Sequence, residues 1–175
     1  IFNSTTSTKD VYNSILSSSI PDKLLKGYNL TVLAYGQTGS GKTYTMGTNW
    51  EDGEDGVIPS AVNDLFKHTD KKSDEASFEI KISYLEIYNE EIKDLLHPPS
   101  KEAPPLRICE DLNSEITVSN LTYTRVTTPG QVSQILQKAS LLRSTGSTSM
   151  NATSSRSHAI CTIYVESTPR DGSDV

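Results

Sequence analysis

Apolar residues recur along the chain at two spacings, one typical of helices and the other typical of strands. A spacing of three and four residues predicts helices over three segments, Asp10–Lys26, Val57–His68 and Thr128–Arg143. Alternation of apolar and polar residues makes Ser77–Ile87 the clearest strand, and a final strand is predicted over His158–Val165. Because strands alternate with helices, the pattern favours a layered α/β domain.

The remaining predicted elements are short. Leu30–Tyr35 is an apolar run with β-branched members, so it predicts a buried strand. Asn89–Leu96 predicts a short helix that ends before a pair of prolines. Leu106–Ile108 and Ile116–Val118 predict two strands on either side of an acidic turn.

A glycine-rich loop follows the first predicted strand and fits the pattern G-x-x-x-x-G-K-[S/T] at every fixed position. Glycines let the backbone turn its N–H groups onto an anion, and a helix that starts there adds the positive end of its dipole. A glycine-rich turn without a ligand is the alternative, which the flanking strand and helix disfavour. We therefore expect binding of a triphosphate, ATP with Mg²⁺, by Gly36, Gln37, Thr38, Gly39, Ser40, Gly41, Lys42 and Thr43.

The segment Asn151–His158 is rich in small hydroxyl side chains. Composition alone favours a solvated linker. The segment nevertheless follows a predicted helix and precedes a predicted strand, and a triphosphate enzyme needs a mobile loop that offers hydroxyls to Mg²⁺ and to the attacking water. The residues alone leave both interpretations open.

Charge and composition narrow the classes of partner. With 16 Lys and Arg against 22 Asp and Glu, the chain has a net charge of −6, so we predict no nucleic-acid partner. No apolar run approaches the roughly 20 residues that span a membrane, and we predict no membrane partner. Cys109 and Cys161 lack metal-ligand spacing and predict two free thiols in a reducing compartment.

Together these motifs resemble a kinesin motor domain. The stretch Gly27–Gly47 is similar to that family's phosphate-loop region, and Gly56–Pro59 is similar to the start of its next helix. Ser83–Leu96 resembles a strand-to-helix signature, and Asn151–His158 resembles the first switch loop. The resemblance spans nearly all of residues 1–175 and is closest to the fourth, chromokinesin-like class.

The resemblance implies a fold and an activity. The fold is a P-loop NTPase-type layered α/β sheet with flanking helices. The activity is Mg-ATP hydrolysis coupled to movement along microtubules, with tubulin as the partner, in the cytoplasm and on the cytoskeleton. Lys42 would hold the phosphates during catalysis. Tyr44 would lie against the adenine, or it would be a core aromatic after the helix start.

The resemblance also implies roles for the first switch. Ser155 would bind Mg²⁺ together with Thr43, and Ser154 would help to hold the attacking water. Asn151 would support the closed switch, and Arg156 would pair with a glutamate of the second switch.

By the same resemblance we expect the chain to be incomplete at both ends. The second switch and the microtubule-binding helices would follow Val175, and an adenine-contact segment would precede Ile1. We expect residues 1–175 alone to be inactive and the complete protein to be an ATPase. The alternative is a catalytically incomplete fragment that binds nucleotide or tubulin without turnover. Another P-loop enzyme, such as a metabolic kinase, would not carry the loop Asn151–His158.

Overall fold

The computed structural model describes residues 1–3, 5–17, 19–47, 56–98, 102–112, 114–145 and 156–170. Its elements in chain order are α1 (Thr8–Ile15), α2 (Ile20–Leu24), α3 (Lys42–Met46), α4 (Val57–Lys71), β1 (Ala76–Tyr88), β2 (Glu91–Asp94), β3 (Arg107–Glu110), β4 (Ile116–Ser119), β5 (Thr124–Val126), α5 (Pro129–Thr145) and β6 (His158–Pro169). The chain divides into two compact units, the first formed by Ile1–Ile80, Val126–Gln137 and Val165–Val175, and the second by Lys81–Arg125 and Lys138–Tyr164.

The first unit has a core built by its short helices around α4. Helix α4 contacts α1, α2 and α3. Buried Tyr12, Ile20 and Val57 form the centre of this core, and Met46 of α3 packs against them. The Tyr12 hydroxyl donates a hydrogen bond to Asp64 Oδ2 at 3.0 Å. Burial and this carboxylate raise the pKa of Tyr12. The short helix α3 is therefore held in place by apolar packing.

The three longer predicted helices are found, and one of them is divided in two. The region Asp10–Lys26 forms two helices, α1 and α2, because Pro21 lies in the first turn of α2 and proline begins a helix more readily than it continues one. Helix α4 extends past the predicted end, to Lys71. Helix α5 begins after Thr128, whose Oγ1 accepts the Gln131 N–H at 3.3 Å as an N-cap.

Strand β1 is the strand around which the larger sheet forms. It pairs with β2, β5 and β6 in a four-stranded sheet. The β1–β2 pair is antiparallel. Where β6 ends and β1 begins, the Arg170 N–H donates to the Glu75 carbonyl at 3.0 Å. A second, two-stranded sheet consists of antiparallel β3 and β4. The predicted strands over 77–87, 106–108, 116–118 and 158–165 are thus confirmed to within a few residues, and β5 was not predicted.

The predicted helix over Asn89–Leu96 is wrong, because this segment is the second half of a β-hairpin. Asn89 and Glu90 have φ values of +49° and +65°, as the two-residue turn of a tight hairpin requires. Tyr88 then lies opposite Glu91, and β2 takes its backbone partners from β1. Pairing with an adjacent strand therefore overrides the local helical pattern.

The predicted buried strand over Leu30–Tyr35 is also wrong. The segment is assigned to no strand, and Leu33 and Tyr35 are 80% and 94% exposed. Within the part of the chain that the structure describes, no strand pairs with it. An apolar run is buried as a strand only where a neighbouring backbone completes its hydrogen bonds.

Candidate nucleotide-binding site

The phosphate loop curls tightly before α3. Gly39 and Gly41 have φ values of +80° and +88°, which residues other than glycine adopt only with strain. A Cβ atom at Gly36 would lie 2.5 Å from Ser40 Oγ, so the loop folds back onto its own start. The Ser40 N–H donates to the Gln37 carbonyl at 3.2 Å and holds this turn closed.

The loop presents hydrogen-bond donors. Within the described residues, the backbone amides of Thr38, Gly39 and Gly41 donate to no acceptor. Lys42 Nζ donates to the carbonyl oxygens of Gly36 and Gln37, at 2.8 and 2.7 Å. The ammonium group is therefore folded back over the loop that carries these amides. A cation beside unpaired amides is the donor set that a phosphate requires.

Two glycines fix the position of α3. Helix α3 ends at Met46, and Gly47 caps it with a φ of +74°. A Cβ at Gly47 would lie 2.5 Å from the Cα of Gly56, and a Cβ at Gly56 would overlap Gly47 in turn. Because Gly56 directly precedes α4, the phosphate-loop helix meets the start of α4 backbone against backbone. We did not predict this contact, although isolated glycines at the ends of two elements are its sequence signal.

The side chains that follow the loop are accessible. Thr43 is exposed, and its role at Mg²⁺ stays a prediction. Tyr44 is 53% exposed, so the alternative in which it is a core aromatic is wrong.

The structure describes only the end of the predicted first switch. Asn151, Ser154 and Ser155 lie outside the described residues. Arg156 lies in an exposed turn just before β6. Ser157 follows it, and its Oγ donates to Glu86 Oε1 at 2.5 Å.

Glu86 and Arg143 complete a buried group that was not predicted from the sequence. Arg143 Nε donates to Glu86 Oε1 at 3.0 Å, and Arg143 Nη2 donates to Ser157 Oγ at 3.0 Å. We call Glu86, Arg143 and Ser157 the Glu86 cluster. Its sequence signal is a charged residue inside a strand, between the apolar residues Leu85 and Ile87.

The described residues add no metal site and no membrane-spanning helix to this picture. Among the described residues, no three His, Cys, Asp or Glu side chains lie together in a group that could hold a metal ion. Cys109 and Cys161 are free thiols, as predicted. No helix in the described part of the chain combines the length and the apolar character needed to cross a membrane.

Comparison with known proteins identifies the family. A model of the kinesin motor domain matches residues 1–174. Chromosome-associated kinesin KIF4A of Homo sapiens is 47% identical over 171 residues, which cover 95% of this chain and 14% of that protein. Kinesin-like protein KIN-4A of Oryza sativa is 44% identical over 164 residues, covering 83% and 16%. A solved structure of a fast kinesin matches with a TM-score of 0.83 and 35% identity, covering 94% of this chain and 46% of that one.

These matches confirm the predicted P-loop NTPase-type fold. They also confirm the likeness to the fourth class, since both KIF4 and KIN-4 kinesins are among the relatives. The chain spans only 16% and 14% of the two relatives' own lengths. Because the family model covers residues 1–174, this chain belongs to the kinesin motor domain family.

Proposed function

We propose that the chain is the ATP-binding part of a kinesin-type microtubule motor, which in the complete protein couples Mg-ATP hydrolysis to movement along microtubules. The phosphate loop carries this proposal. Lys42 Nζ lies 2.7 and 2.8 Å from two carbonyl oxygens of the loop, which a phosphate oxygen can replace as its acceptors. The amides of Thr38, Gly39 and Gly41, which donate to no acceptor in the described part of the chain, supply further donors.

Catalysis in such a site depends on positioning and on charge stabilisation. Lys42 and the loop amides would hold the phosphates and stabilise the negative charge that develops during transfer to water. Thr43 and Ser155 would hold Mg²⁺, which when bound neutralises phosphate charge. Tyr44, exposed beside the loop, would lie against the adenine.

The first switch would supply the remaining groups. Ser154 would hold the attacking water, and Asn151 would support the closed form of the segment. Arg156, exposed in the turn before β6, would pair with an acidic residue of the second switch. The likeness to kinesins over residues 1–174 supports microtubules as the partner and the cytoskeleton as the location.

The test is Lys42→Ala in the complete motor domain, with fluorescent ADP titrated onto the protein. We expect affinity to fall about 10- to 100-fold, because hydrogen bonds to charged groups contribute about 1.5–3 kcal/mol. Lys67→Ala is the matched control, since Lys67 is exposed in its ion pair with Asp64 at 3.3 Å, and ion pairs near the surface contribute little. Unchanged ADP affinity in Lys42→Ala would remove the phosphate-loop assignment.

The alternative is a fragment that binds nucleotide or tubulin without turnover. ATP hydrolysis measured with and without microtubules separates the two, using residues 1–175 and the complete motor domain in parallel. Stimulation by microtubules in the complete domain supports the motor. Binding of nucleotide without hydrolysis in both proteins supports the alternative.

A further inference from the structure

The Glu86 cluster joins three elements of the second unit. Glu86 lies in β1, Arg143 in the last turns of α5, and Ser157 just before β6. One oxygen, Glu86 Oε1, accepts from Arg143 Nε at 3.0 Å and from Ser157 Oγ at 2.5 Å. Arg143 Nη2 closes the triangle on Ser157 Oγ at 3.0 Å. Each member therefore contacts the other two.

The charged pair of this cluster is buried. The side chains of Arg143 and Glu86 are 12% and 6% exposed. Removing two charges from water is costly, and apolar side chains of similar volume often stabilise a protein as well or better. Stability alone thus gives a weak reason for an ion pair here. A defined geometry for the group that the pair holds is a better reason, and that group is the Ser157 hydroxyl.

Ser157 links the cluster to the proposed reaction. Ser157 directly follows Arg156 in the chain. The Arg156 residue is exposed, while the Ser157 hydroxyl donates to Glu86. Restraint of Ser157 therefore restrains the backbone from which the Arg156 side chain projects. Misplacement of a catalytic group by about 1 Å can reduce the rate by roughly 100-fold.

We propose that Glu86 and Arg143 are positioning residues that hold Ser157 and thereby set the location of Arg156 for ATP hydrolysis. This proposal rests on the proposed function. The cluster acts on turnover and leaves the phosphate loop, which lies in the first unit, to determine nucleotide affinity. Loss of the cluster consequently lowers kcat without changing the affinity for ADP.

The experiment uses Ser157→Ala and Glu86→Gln in the complete motor domain. We expect kcat of the microtubule-stimulated ATPase to fall about tenfold in each, with ADP affinity within about twofold of the parent. Ser157→Thr keeps a hydroxyl and should restore most of the activity. Ser73→Ala is the matched control, because the Ser73 hydroxyl bonds only a backbone carbonyl in an exposed turn, that of Asp70 at 2.7 Å, and its kcat should not change.

Several outcomes overturn the proposal. Unchanged kcat in Ser157→Ala does so, and so does an equal loss of ADP affinity and kcat. A lowered melting temperature with unchanged kcat would give the cluster a structural role only. Should Glu86→Gln not fold, Arg143→Lys, which keeps the charge but loses the planar fork, replaces it with the same expected loss. A parent protein that binds no ADP would instead overturn the proposed function itself.

Discussion

Two apolar segments of this chain differ in strand pairing and in burial. Strand β1 (Ala76–Tyr88) pairs with three other strands, and its Ile82 and Tyr84 are 0% and 2% exposed. The segment Leu30–Tyr35 is also apolar, yet Leu33 is 80% exposed. Both segments predict strands from their sequences, so apolar content alone does not separate them.

The difference lies in the partners. A hairpin turn delivers β2 to β1 directly along the chain, while Leu30–Tyr35 leads straight into the phosphate loop. Among the described residues, its neighbours in sequence therefore provide no strand to complete its hydrogen bonds. The sequence of a segment decides whether it can be a strand, and the availability of a second backbone decides whether it becomes one.

The largest expected effect is a difference in unfolding free energy between Ile82→Ala and Leu33→Ala, both made in residues 1–175. Truncation of Ile82, which is 0% exposed, should lower the free energy of unfolding by about 2–5 kcal/mol, because it leaves a cavity. Truncation of Leu33 should change it by less than about 0.5 kcal/mol, as for other exposed sites. Urea unfolding of both variants measures the difference.

Equal losses of unfolding free energy in the two variants would show that Leu33 is buried. The same two variants should also be compared in the complete motor domain. The solved fast kinesin is more than twice as long as the part that matches, which is 46% of its chain. If partner strands lie in such additional residues, Leu33→Ala should there become as costly as Ile82→Ala.

The fold was predictable wherever a local pattern and its surroundings agree. The alternation in Ser77–Ile87 and the apolar spacing that predicts helices α4 and α5 are examples. The segment Asn89–Leu96 was not, because the left-handed conformation of Asn89 and Glu90 favours pairing with β1 over a local helix. Strand β5, with three residues, is too short to carry a periodic signal.

The site was predictable to the extent that its groups are contiguous in sequence. The phosphate loop, Gly36–Thr43, combines glycines, a lysine and a helix start in one motif. The Glu86 cluster joins residues 57 and 71 positions apart, and no spacing rule connects such residues before the fold is known. The contact of Gly47 with Gly56 was not predicted, because two glycines at the ends of elements signal a close approach without identifying which backbone each one meets.

The next largest expected effect is a difference in reaction rate between two cysteines in different strands. Cys109 lies in β3 and is exposed, while Cys161 lies in β6, which pairs with β1. Cys161 is partly exposed as a residue, but burial of its thiol raises the pKa from 9.0 to about 12. Since the thiolate is the nucleophile, iodoacetamide at pH 8 should modify Cys109 at least about tenfold faster than Cys161.

The pH dependence of the modification rate follows from the raised pKa of Cys161. A raised pKa keeps the Cys161 thiol protonated in the folded protein, so its rate should continue to rise with pH up to about 12. Mass spectrometry of the modified protein assigns each rate, and Cys161→Ser should remove only the slow phase. Similar rates at pH 8 would show that β6 does not shield its cysteine.

The smallest expected effect tests the turn that gives β1 its partner. Glu90 has a φ of +65°, which strains any side chain and suits glycine. Glu90→Gly should therefore raise the free energy of unfolding by about 0.5–1 kcal/mol. The matched control is Glu91→Gly, one residue later in β2, which should lower it by about 0.5–1 kcal/mol because glycine weakens a strand interior.

Opposite signs at adjacent glutamates isolate the backbone from the side-chain charge, since both variants lose one acidic group. Urea unfolding of residues 1–175 measures both changes. If both variants lose stability, the turn does not store strain at Glu90, and the hairpin forms because of contacts made along β1 and β2. If the signs differ as expected, the pairing of β1 depends on a turn encoded next to it, whereas no such turn joins Leu30–Tyr35 to a strand among the described residues.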